Sequence, residues 1–370
     1  MRVLIIFNHP APYKVKSFNE LSELVDLTVI FERTKERDRP LSYYEENNYK
    51  FKAIFLKDGY IGHEGSISNG VRTYIKEHHK DFDLILMNGY SHLAEIKAIK
   101  YMHSKNIKFG LMINGGVIKK ETFLKRTYKT SLLKKASYYL SPNASSDHYL
   151  KYYGADKKTI SRYIYSNLDE SEILDSPVND KTELRKKYNL PLYKKIFINP
   201  SQFIKRKNNI ELISLFKDRK EILLLVGSGV ELENYNKFIN ENKMDNVIVL
   251  PFKNKKELFE LYQASDCHIT LSKQDIFGHT VLEAFANGIP VISSDKVVSS
   301  IEYIKNGENG YVVSLKKKDE IKTAIESVNA EMGKNAIKTA RSLTFKNVAK
   351  SIYNVLEKLW KIKFYISHQP

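Results

Sequence analysis

Apolar residues in the first half of the chain form short runs that alternate with segments of helical spacing. Residues 3–7 and 27–31 are continuous apolar runs of strand length, and residues 15–24 between them place apolar positions three and four apart. A strand, a helix and a second strand in this order predict a βαβ unit with a parallel sheet. The same alternation predicts further strands at 82–87 and 108–113 and further helices at 71–79 and 145–153.

A polar segment at 169–180, which contains Ser176-Pro177, has the composition of an interdomain linker. A second alternating series follows it, with strands predicted at 196–198, 222–226, 247–252, 267–271 and 290–293 and helices at 181–188, 258–264, 334–343 and 347–360. Because 370 residues exceed what one compact core needs, we predict two Rossmann-like α/β domains, 1–170 and 181–343.

Residues 271–288, with the sequence LSKQDIFGHTVLEAFANG, contain the clearest candidates for a functional site. A strand runs into a loop that contains Asp275 and Gly278, and the loop opens a helix that Gly288 ends. Unpaired amides and the helix dipole favour an anion at residues 278–281. A phosphate there would repel the carboxylates of Asp275 and Glu283, for which sugar hydroxyls are better partners. The alternative is an ordinary buried βα unit whose acids cap helices.

This pattern resembles the donor-site signature of retaining glycosyltransferase family 4. In the shared pattern seven residues separate an acid, Asp275, from Glu283. Phe277-Gly278 follows the acid, and the pattern EA-x-A-x-G-x-PVI begins at Glu283. The resemblance implies the GT-B fold, in which two doubly wound domains face each other across a cleft and the last helix crosses back to the first domain. It also implies that Asp275 contacts the transferred sugar and that Glu283 holds the ribose. The backbone that would contact the diphosphate is that of Phe277, Gly278, His279, Thr280 and Val281.

The donor-site signature departs from the family at one position, because the family usually has Glu where this chain has the shorter Asp275. A second segment, 200–208, resembles the family's other phosphate anchor, with Lys207 in the place of the family's Lys. Gln202 stands where an Arg is common, so Arg206 is expected to supply the missing charge. Phe252, at the end of a predicted strand, is expected to border the base. The alternative for the cations at 205–207 is a solvated charge run.

The first predicted domain offers candidates for acceptor binding at the carboxyl ends of its strands. The loop after the first strand lacks a dinucleotide fingerprint and is stiffened by prolines, which suits either a substrate contact or a rigid connector. Asn114 takes the place of a family histidine and can bond a hydroxyl without acting as an acid or base. The polar, Tyr-rich segment 33–61 is either a loop over the acceptor or a surface excursion. The candidates are His9, Pro10, Tyr13, Lys14, Asn88, Tyr90, His92, Asn114 and Gly115.

No metal or other cofactor is expected. Asp81-Phe82-Asp83 imitates a metal-binding motif, but it lies at the start of a predicted strand, the wrong end for a site. The single cysteine, Cys267, lies in an apolar strand and is interpreted as a core residue.

Charge indicates an anionic partner, since 60 Lys and Arg against 43 Asp and Glu give a net charge of +17. No zinc spacing or RNP motif supports nucleic acid. Residues 119–140 combine seven cations with Phe123, Leu124, Tyr128 and Tyr138, which predicts a helix with an apolar stripe and a cationic flank. We expect residues 119–135 to contact an anionic membrane surface; a solvated helix face is the alternative.

The expected protein is cytoplasmic and peripheral on the inner face of the cell membrane, because no signal peptide or spanning segment is visible. Together with the resemblance, these features predict a retaining, metal-independent glycosyltransferase. It would move a sugar from a nucleotide diphosphate sugar, with UDP expected, to a lipid-linked saccharide or other glycan in cell-surface polysaccharide biosynthesis. Asp275, Arg206 and Lys207 are the expected catalytic residues. The alternatives are a nucleotide-sugar epimerase of the same fold and a catalytically dead nucleotide-sugar-binding protein.

Overall fold

The computed structural model describes residues 1–35, 44, 48–56, 60–61, 65–66, 69–116 and 118–367. The chain divides into two compact units, the first made of residues 1–167 with the segment from Phe345 onwards and the second of residues 168–344. The change of unit after residue 167 lies just before the polar segment that we interpreted as a linker, and that segment belongs to the second unit.

The first unit contains a parallel sheet with the order β3-β2-β1-β6-β7-β8-β9 and a separate antiparallel pair, β4-β5. Its strands are β1 (Arg2–Phe7), β2 (Asp26–Phe31), β3 (Lys52–Phe55), β4 (Tyr60–Ile61), β5 (Gly65–Ser66), β6 (Leu84–Met87), β7 (Gly110–Met112), β8 (Tyr138–Ser141) and β9 (Ile160–Arg162). Its helices before the second unit are α1 (Pro12–Ser22), α2 (Gly70–His78), α3 (Leu93–Ser104), α4 (Phe123–Leu133) and α5 (Ala144–Tyr152).

The second unit contains a parallel sheet with the order β12-β11-β10-β13-β14-β15. Its strands are β10 (Ile196–Pro200), β11 (Ile222–Val226), β12 (Val247–Leu250), β13 (Cys267–Thr270), β14 (Val291–Ser294) and β15 (Gly310–Val313). Its helices are α6 (Thr182–Lys187), α7 (Asn209–Leu215), α8 (Leu232–Glu241), α9 (Lys255–Ala264), α10 (His279–Ala286), α11 (Val298–Tyr303), α12 (Lys318–Ser327) and α13 (Glu331–Arg341).

The last helix, α14 (Phe345–Ser367), belongs to the first unit, as the sequence predicts. It packs against α1, and Ser351 Oγ accepts a hydrogen bond of 2.9 Å from the amide of Ile164. Its buried face carries Val348, Ile352 and Leu356, which are spaced by four residues as an amphipathic helix requires.

The order of strands fixes where ligands can bind. The chain starts each sheet in the middle, at β1 and at β10, and adds later strands on both sides. At such a switch point the loops leaving two neighbouring strands turn in opposite directions and leave a crevice at their carboxyl ends. The loops after β1 and β6 meet at one of these points, and the loops after β10 and β13 meet at the other. The prediction of two doubly wound parallel sheets is confirmed.

Three local predictions are wrong. Tyr138 does not continue the basic helix but begins β8, where its hydroxyl donates to the carbonyl of Ile85 at 3.0 Å. A run of apolar residues between two strands is better buried as a third strand than as the end of an exposed helix. The family resemblance also implies that Glu302 begins a helix, but Glu302 lies near the end of α11, because that helix begins at Val298. Phe252 lies beyond β12, which ends at Leu250.

A buried ion pair joins α6 to the starts of two strands in the second unit. Arg185 donates to Asp266 Oδ2 at 2.8 Å, to the carbonyl of Ala264 at 3.0 Å and to that of Leu192 at 2.7 Å. Asp266 Oδ2 also accepts from the amide of Ile196 at 2.8 Å. Only 8% of the Arg185 side chain is exposed, so its charge depends on these protein partners rather than on water.

We expect Asp266→Ala to lower the free energy of unfolding by about 3–5 kcal/mol, because it leaves the Arg185 guanidinium buried without its carboxylate. Glu183→Ala is the matched control: it removes the partner of Lys186 on the same helix, where the two side chains are 86% and 59% exposed. Its effect should stay below about 1 kcal/mol. Urea unfolding followed by circular dichroism measures both, and equal effects would contradict a structural role for the buried pair.

Candidate functional site

Two loops meet at the carboxyl ends of β10 and β13. The first contains a short 3-10 helix, Lys205–Lys207, and the second follows Thr270. Lys207 Nζ donates to Asp275 Oδ2 at 2.6 Å, and Arg206 Nη1 donates to the carbonyl of Gln274 at 2.6 Å. The three residues predicted to be catalytic, Asp275, Arg206 and Lys207, therefore lie together.

Charge at this contact is positive overall. Arg206 Nη1 lies 3.9 Å from Asp275 Oδ2, so one carboxylate faces two cations. The side chains of Lys207 and Asp275 are 14% and 20% exposed, whereas that of Arg206 is 41% exposed. Partial burial strengthens the attraction between an anion and these cations, and the guanidinium of Arg206, although it is bonded to the carbonyl of Gln274, remains accessible to a ligand.

The loop before α10 requires glycine. Gly278 has a φ of +86°, and a Cβ there would lie 2.4 Å from Val297 Cγ1 and 2.9 Å from Ser299 Oγ. Ser299 holds the loop from the other side, since its hydroxyl donates to the carbonyl of Gly278 at 2.9 Å and its amide to that of Phe277 at 2.8 Å. Ser299 was missed in the sequence, because nothing in its own neighbourhood indicates that it reaches this loop.

The backbone, rather than the side chains, is available for contact in this loop. Phe277 and Val281 are 7% and 0% exposed, so both side chains belong to the core. The helix begins at His279, and the amides of a first helical turn, His279 and Thr280 here, lie at the positive end of the helix dipole. The amide of Val281 donates to the carbonyl of Gly278 at 3.2 Å and closes the turn.

Glu283 lies one turn into α10. Tyr262 places its hydroxyl 3.4 Å from Glu283 Oε2 and 3.2 Å from the carbonyl of Thr280. Burial raises the pKa of the Glu283 carboxyl, and the charge of Lys255 opposes this shift. Of the other predicted donor contacts, Gln202 is exposed in the loop after β10, and Phe252 is 75% exposed after β12.

A buried histidine on β13 was also missed. His268 is fully buried, its Nδ1 lies 2.9 Å from the carbonyl of Ile198, and its Nε2 has no hydrogen-bond partner among the described residues. Burial lowers its pKa to about 4, with a smaller contribution from the charge of Lys207, so the ring is neutral at pH 7. The available signal was a polar residue inside an otherwise apolar strand that leads into the loop of Asp275.

Three of the predicted acceptor residues form a hydrogen-bonded chain in the first unit. Lys14 Nζ donates to Asn114 Oδ1 at 3.0 Å, and Asn114 Nδ2 donates to Asn88 Oδ1 at 3.0 Å. The hydroxyl of Tyr163 lies 3.2 Å from Asn114 Oδ1. Lys14 is buried, with its ammonium 4.4 Å from the centre of the Tyr165 ring. Burial lowers the pKa of Lys14 to about 7.

The remaining acceptor candidates in the first unit differ in their contacts and in their burial. His9 Nδ1 lies 3.1 Å from the hydroxyl of Tyr44, which belongs to the Tyr-rich segment. Much of that segment, including Tyr43, lies outside the described residues. Tyr90 hydrogen-bonds through its hydroxyl to that of Tyr149. Pro10 is buried, and Tyr13 and Gly115 are half-buried.

His92 has two acidic neighbours that were missed in the sequence. It precedes α3, and its Nδ1 lies 3.8 Å from Glu32 Oε2 and 3.8 Å from Glu95 Oε1. Burial, with the charge of Glu32, raises the pKa of Glu95 to about 7. The carboxylate of Glu32 raises the pKa of His92. Glu32 follows a strand more than fifty residues earlier, so only the sheet order brings it here.

The start of α4 exposes apolar side chains. Phe123 and Leu124 are each 79% exposed and Tyr128 is 45% exposed, whereas the buried residues of the helix are Leu132 and Leu133 at its end. We define the α4 surface as the exposed apolar residues Phe123, Leu124 and Tyr128 together with the exposed cations Lys119, Lys120, Lys125 and Arg126. Within the described part of the chain, no helix is both long and apolar enough to cross a membrane.

A cavity of about 940 Å³ opens at the amino-terminal edge of the second sheet. Its charged lining includes Lys181, Arg185 and Asp266, and these groups already bond to one another or to backbone carbonyls. The predicted donor residues lie at the opposite edge, so volume alone does not identify the site.

Known proteins resemble this chain in both sequence and fold. The sequence profile described as "Glycosyl transferases group 1" matches residues 180–342. The O-antigen biosynthesis glycosyltransferase WclY of Escherichia coli is 26% identical over 291 residues, which cover 74% of this chain and 76% of WclY. N-acetyl-alpha-D-glucosaminyl L-malate synthase of Bacillus anthracis is 31% identical over 156 residues, which cover 41% of this chain and 40% of that protein.

Two solved structures share the fold at low identity. Anabaena Alr3699/HepE, in complex with UDP and glucose, aligns over 96% of this chain and 99% of its own, with a TM-score of 0.68 and 16% identity. The lipopolysaccharide outer core galactosyltransferase WaaB aligns over 97% of this chain and 99% of its own, with a TM-score of 0.71 and 14% identity. Residues 180–342 of this chain therefore match the model of the group 1 glycosyl transferases, and both units share the fold of solved glycosyltransferases of low sequence identity.

Proposed function

We propose that this protein transfers a sugar from a UDP-sugar to a glycan acceptor, with retention of configuration and without a metal ion at the donor diphosphate. The contact that carries the proposal is the one between Lys207 and Asp275 beside the first turn of α10. It supplies cations, amides and a carboxylate at one strand edge, as a phosphorylated sugar requires. UDP is the expected nucleotide because HepE structures are complexes with UDP or UDP-glucose, and because the name of a GtfA relative from Streptococcus includes UDP-N-acetylglucosamine.

The diphosphate is the group that gains charge as the sugar leaves. Lys207 and Arg206, with the amides of residues 278–280, would stabilise that charge as fixed donors, which is the role a metal ion has in other phosphate sites. Asp275 holds Lys207 at 2.6 Å before any ligand binds, so little reorganisation is needed. The acceptor hydroxyl would attack from the same face, and the departing phosphate oxygen would take its proton. Expulsion of water would protect the reaction from hydrolysis.

The nucleoside and the sugar would be held by different groups. Glu283 would hold the ribose hydroxyls, and the hydroxyl of Tyr262 lies beside its carboxylate. Phe252, 75% exposed after β12, offers a face on which a base can stack, and Gln202 offers an amide. Asp275 would contact the transferred sugar through Oδ1, which accepts only a long bond of 3.4 Å from the amide of Phe277, whereas Oδ2 is engaged by Lys207.

The acceptor would bind at the carboxyl edge of the first sheet. The chain of Lys14, Asn114 and Asn88 presents amide and ammonium groups that suit sugar hydroxyls. His9, Tyr13 and the loop after β6 lie at the same edge. A lipid-linked saccharide of cell-surface polysaccharide biosynthesis is the expected acceptor class, in keeping with the name of the O-antigen relative.

The α4 surface would bring the enzyme to such an acceptor. Exposed aromatic and aliphatic side chains next to cations can insert at the headgroup level of an anionic bilayer while the cations contact phosphates. The net charge of +17 favours the same surface. The protein would then act as a peripheral protein on the inner face of the membrane.

Lys207→Ala is expected to weaken UDP binding by about 10- to 100-fold, since a hydrogen bond to a charged group contributes about 1.5–3 kcal/mol. Glu283→Ala is expected to weaken it as well. The control, Lys205→Ala, removes the same charge from an exposed position in the same short helix and should bind UDP as the wild type does. Calorimetric titration with UDP in EDTA measures all four proteins.

Three outcomes contradict parts of this proposal. Equal UDP affinity of Lys207→Ala and Lys205→Ala would remove the assigned phosphate site. A requirement for added Mg²⁺ or Mn²⁺ would rule out metal independence at the donor. Conversion of a UDP-sugar to its epimer without acceptor would favour an epimerase over a transferase.

Phe123→Ser combined with Leu124→Ser is expected to reduce binding to vesicles of phosphatidylglycerol and phosphatidylcholine severalfold, because the α4 surface loses its inserted side chains. Tyr193→Ser is the control, since Tyr193 is 97% exposed in the second unit and should not matter. Vesicle flotation at low and high salt measures binding, and salt should weaken it. Unchanged flotation of the double variant would contradict the membrane assignment.

Lys14 should make stability depend on pH above neutrality. Its pKa in the folded protein is about 7 against an ordinary value of 10.5, so between these values the unfolded chain binds one proton more and stability rises with pH. Lys14→Met removes this contribution. The melting temperature of the wild type, relative to that of Lys14→Met, should therefore rise from pH 7 to pH 9. Lys16→Met, on the exposed face of α1, is the control. If the difference in melting temperature between the wild type and Lys14→Met does not change with pH, as is expected for Lys16→Met, the lowered pKa of Lys14 is contradicted.

A further inference from the structure

Glu32, His92 and Glu95 form a compact cluster at the carboxyl edge of the first sheet. Glu32 follows β2, while His92 and Glu95 are the residue before α3 and a residue of its first turn. Each offers one ligand atom, and these atoms all lie within 4.8 Å of one another. The strand β1 lies between β2 and β6 in the sheet, so the cluster bridges two connections that are remote in sequence.

Glu32 is the member that points to a ligand. Its side chain is 1% exposed, and neither carboxylate oxygen has a hydrogen-bond partner among the described residues. Burying a carboxylate without hydrogen bonds is costly, and native proteins normally pair such a group or coordinate it to a metal.

Glu95 is already oriented for coordination. Its Oε2 accepts from the amides of Ser91 and His92 at 2.6 and 2.9 Å, which leaves Oε1 directed to the cluster. Gly89 gives the carboxylate its space, because a Cβ at that position would lie 1.9 Å from Glu95 Oε1. Hydrogen bonds that fix one oxygen of a ligating carboxylate are a common feature of metal sites.

The distances suit an ion better than hydrogen bonds. His92 Nδ1 is buried without a hydrogen-bond partner in the described chain and lies 3.8 Å from Glu32 Oε2 and from Glu95 Oε1. A separation of 3.8 Å is too long for a hydrogen bond. One ion with bonds of about 2.0–2.2 Å spans it.

We propose that Glu32, His92 and Glu95 bind one Zn²⁺ ion. Metal binding requires ionised carboxylates and a neutral imidazole, and in that state the set carries a charge of −2 that a divalent cation neutralises. This mixed nitrogen and oxygen set suits Zn²⁺ better than Mg²⁺. The ion ties the end of β2 to the start of α3 and so fixes residues 88–92, which lie at the acceptor edge. It lies in the first unit, whereas the donor phosphates bind in the second, so the metal-free donor chemistry does not depend on it.

The test is calorimetric titration of ZnCl₂ into tag-free, full-length protein that has been stripped with EDTA and desalted, with metal analysis after a second desalting. One Zn²⁺ per chain and a higher melting temperature with Zn²⁺ are expected. Glu32→Gln keeps the shape and removes the charge, and it should weaken Zn²⁺ binding at least about tenfold. The control is Asp81→Asn, which removes an exposed carboxylate 3.0 Å from His78 Nδ1 and should leave the binding unchanged.

A wild type that holds no stoichiometric Zn²⁺, or a Glu32→Gln variant that binds as well as the wild type, overturns the site. In EDTA, Glu32→Gln should melt no lower than the wild type, because it buries no charge. If it does not fold, Glu95→Gln, which can keep the two amide contacts before α3, provides the same comparison. UDP binding in EDTA is measured separately, so loss of the zinc site leaves the proposed function standing and loss of UDP binding leaves the zinc site standing.

Discussion

The ion pair between Lys207 and Asp275 is the contact on which the proposed chemistry depends. It joins the loop after β10 to the loop after β13, and it places a cation beside the first turn of α10 before any ligand is present. The pair is only partly exposed, so its charges are poorly screened by water and well placed to meet an anion. In the proposed function Asp275 would have two tasks, since it orients Lys207 and would also contact the sugar.

Parallel sheets make this contact possible. Within each principal sheet all strands run in the same direction, so the loops that carry candidate residues all leave from the carboxyl edge of their own sheet. In the second unit that edge carries the cations and the glycine turn at Gly278. In the first unit it carries Lys14, Asn114 and Asn88, and also the cluster around Glu32. The opposite edge of the second sheet carries structural ion pairs such as that of Arg185 and Asp266.

Local patterns were enough to predict the framework and the glycine turn at the start of α10. The apolar runs identified most strands, and the order of Asp275, Gly278 and Glu283 identified the start of α10 because a strand, a glycine turn and a helix are contiguous in sequence. Tyr138 was assigned to a helix because its aromatic neighbours continue the basic stretch, and only pairing with β7 and β9 makes it a strand residue.

Contacts between distant segments could not be predicted in this way. Glu32 and Glu95 gave no signal of their own, since a single acid after a strand or in a first helical turn is common. Ser299 supports Gly278 from a helix that follows the next strand, and Lys14 reaches Asn114 across a hundred residues. Each of these contacts depends on the strand order, which the apolar pattern does not specify.

The most direct test of the donor site is a crystal structure of the protein with UDP in the presence of EDTA. The account predicts density for the diphosphate beside Lys207 Nζ and the amides of residues 278–280, at about 3 Å from both, with the ribose at Glu283. UDP bound away from Lys207 and the first turn of α10, or held only when a metal ion bridges its phosphates, would contradict it.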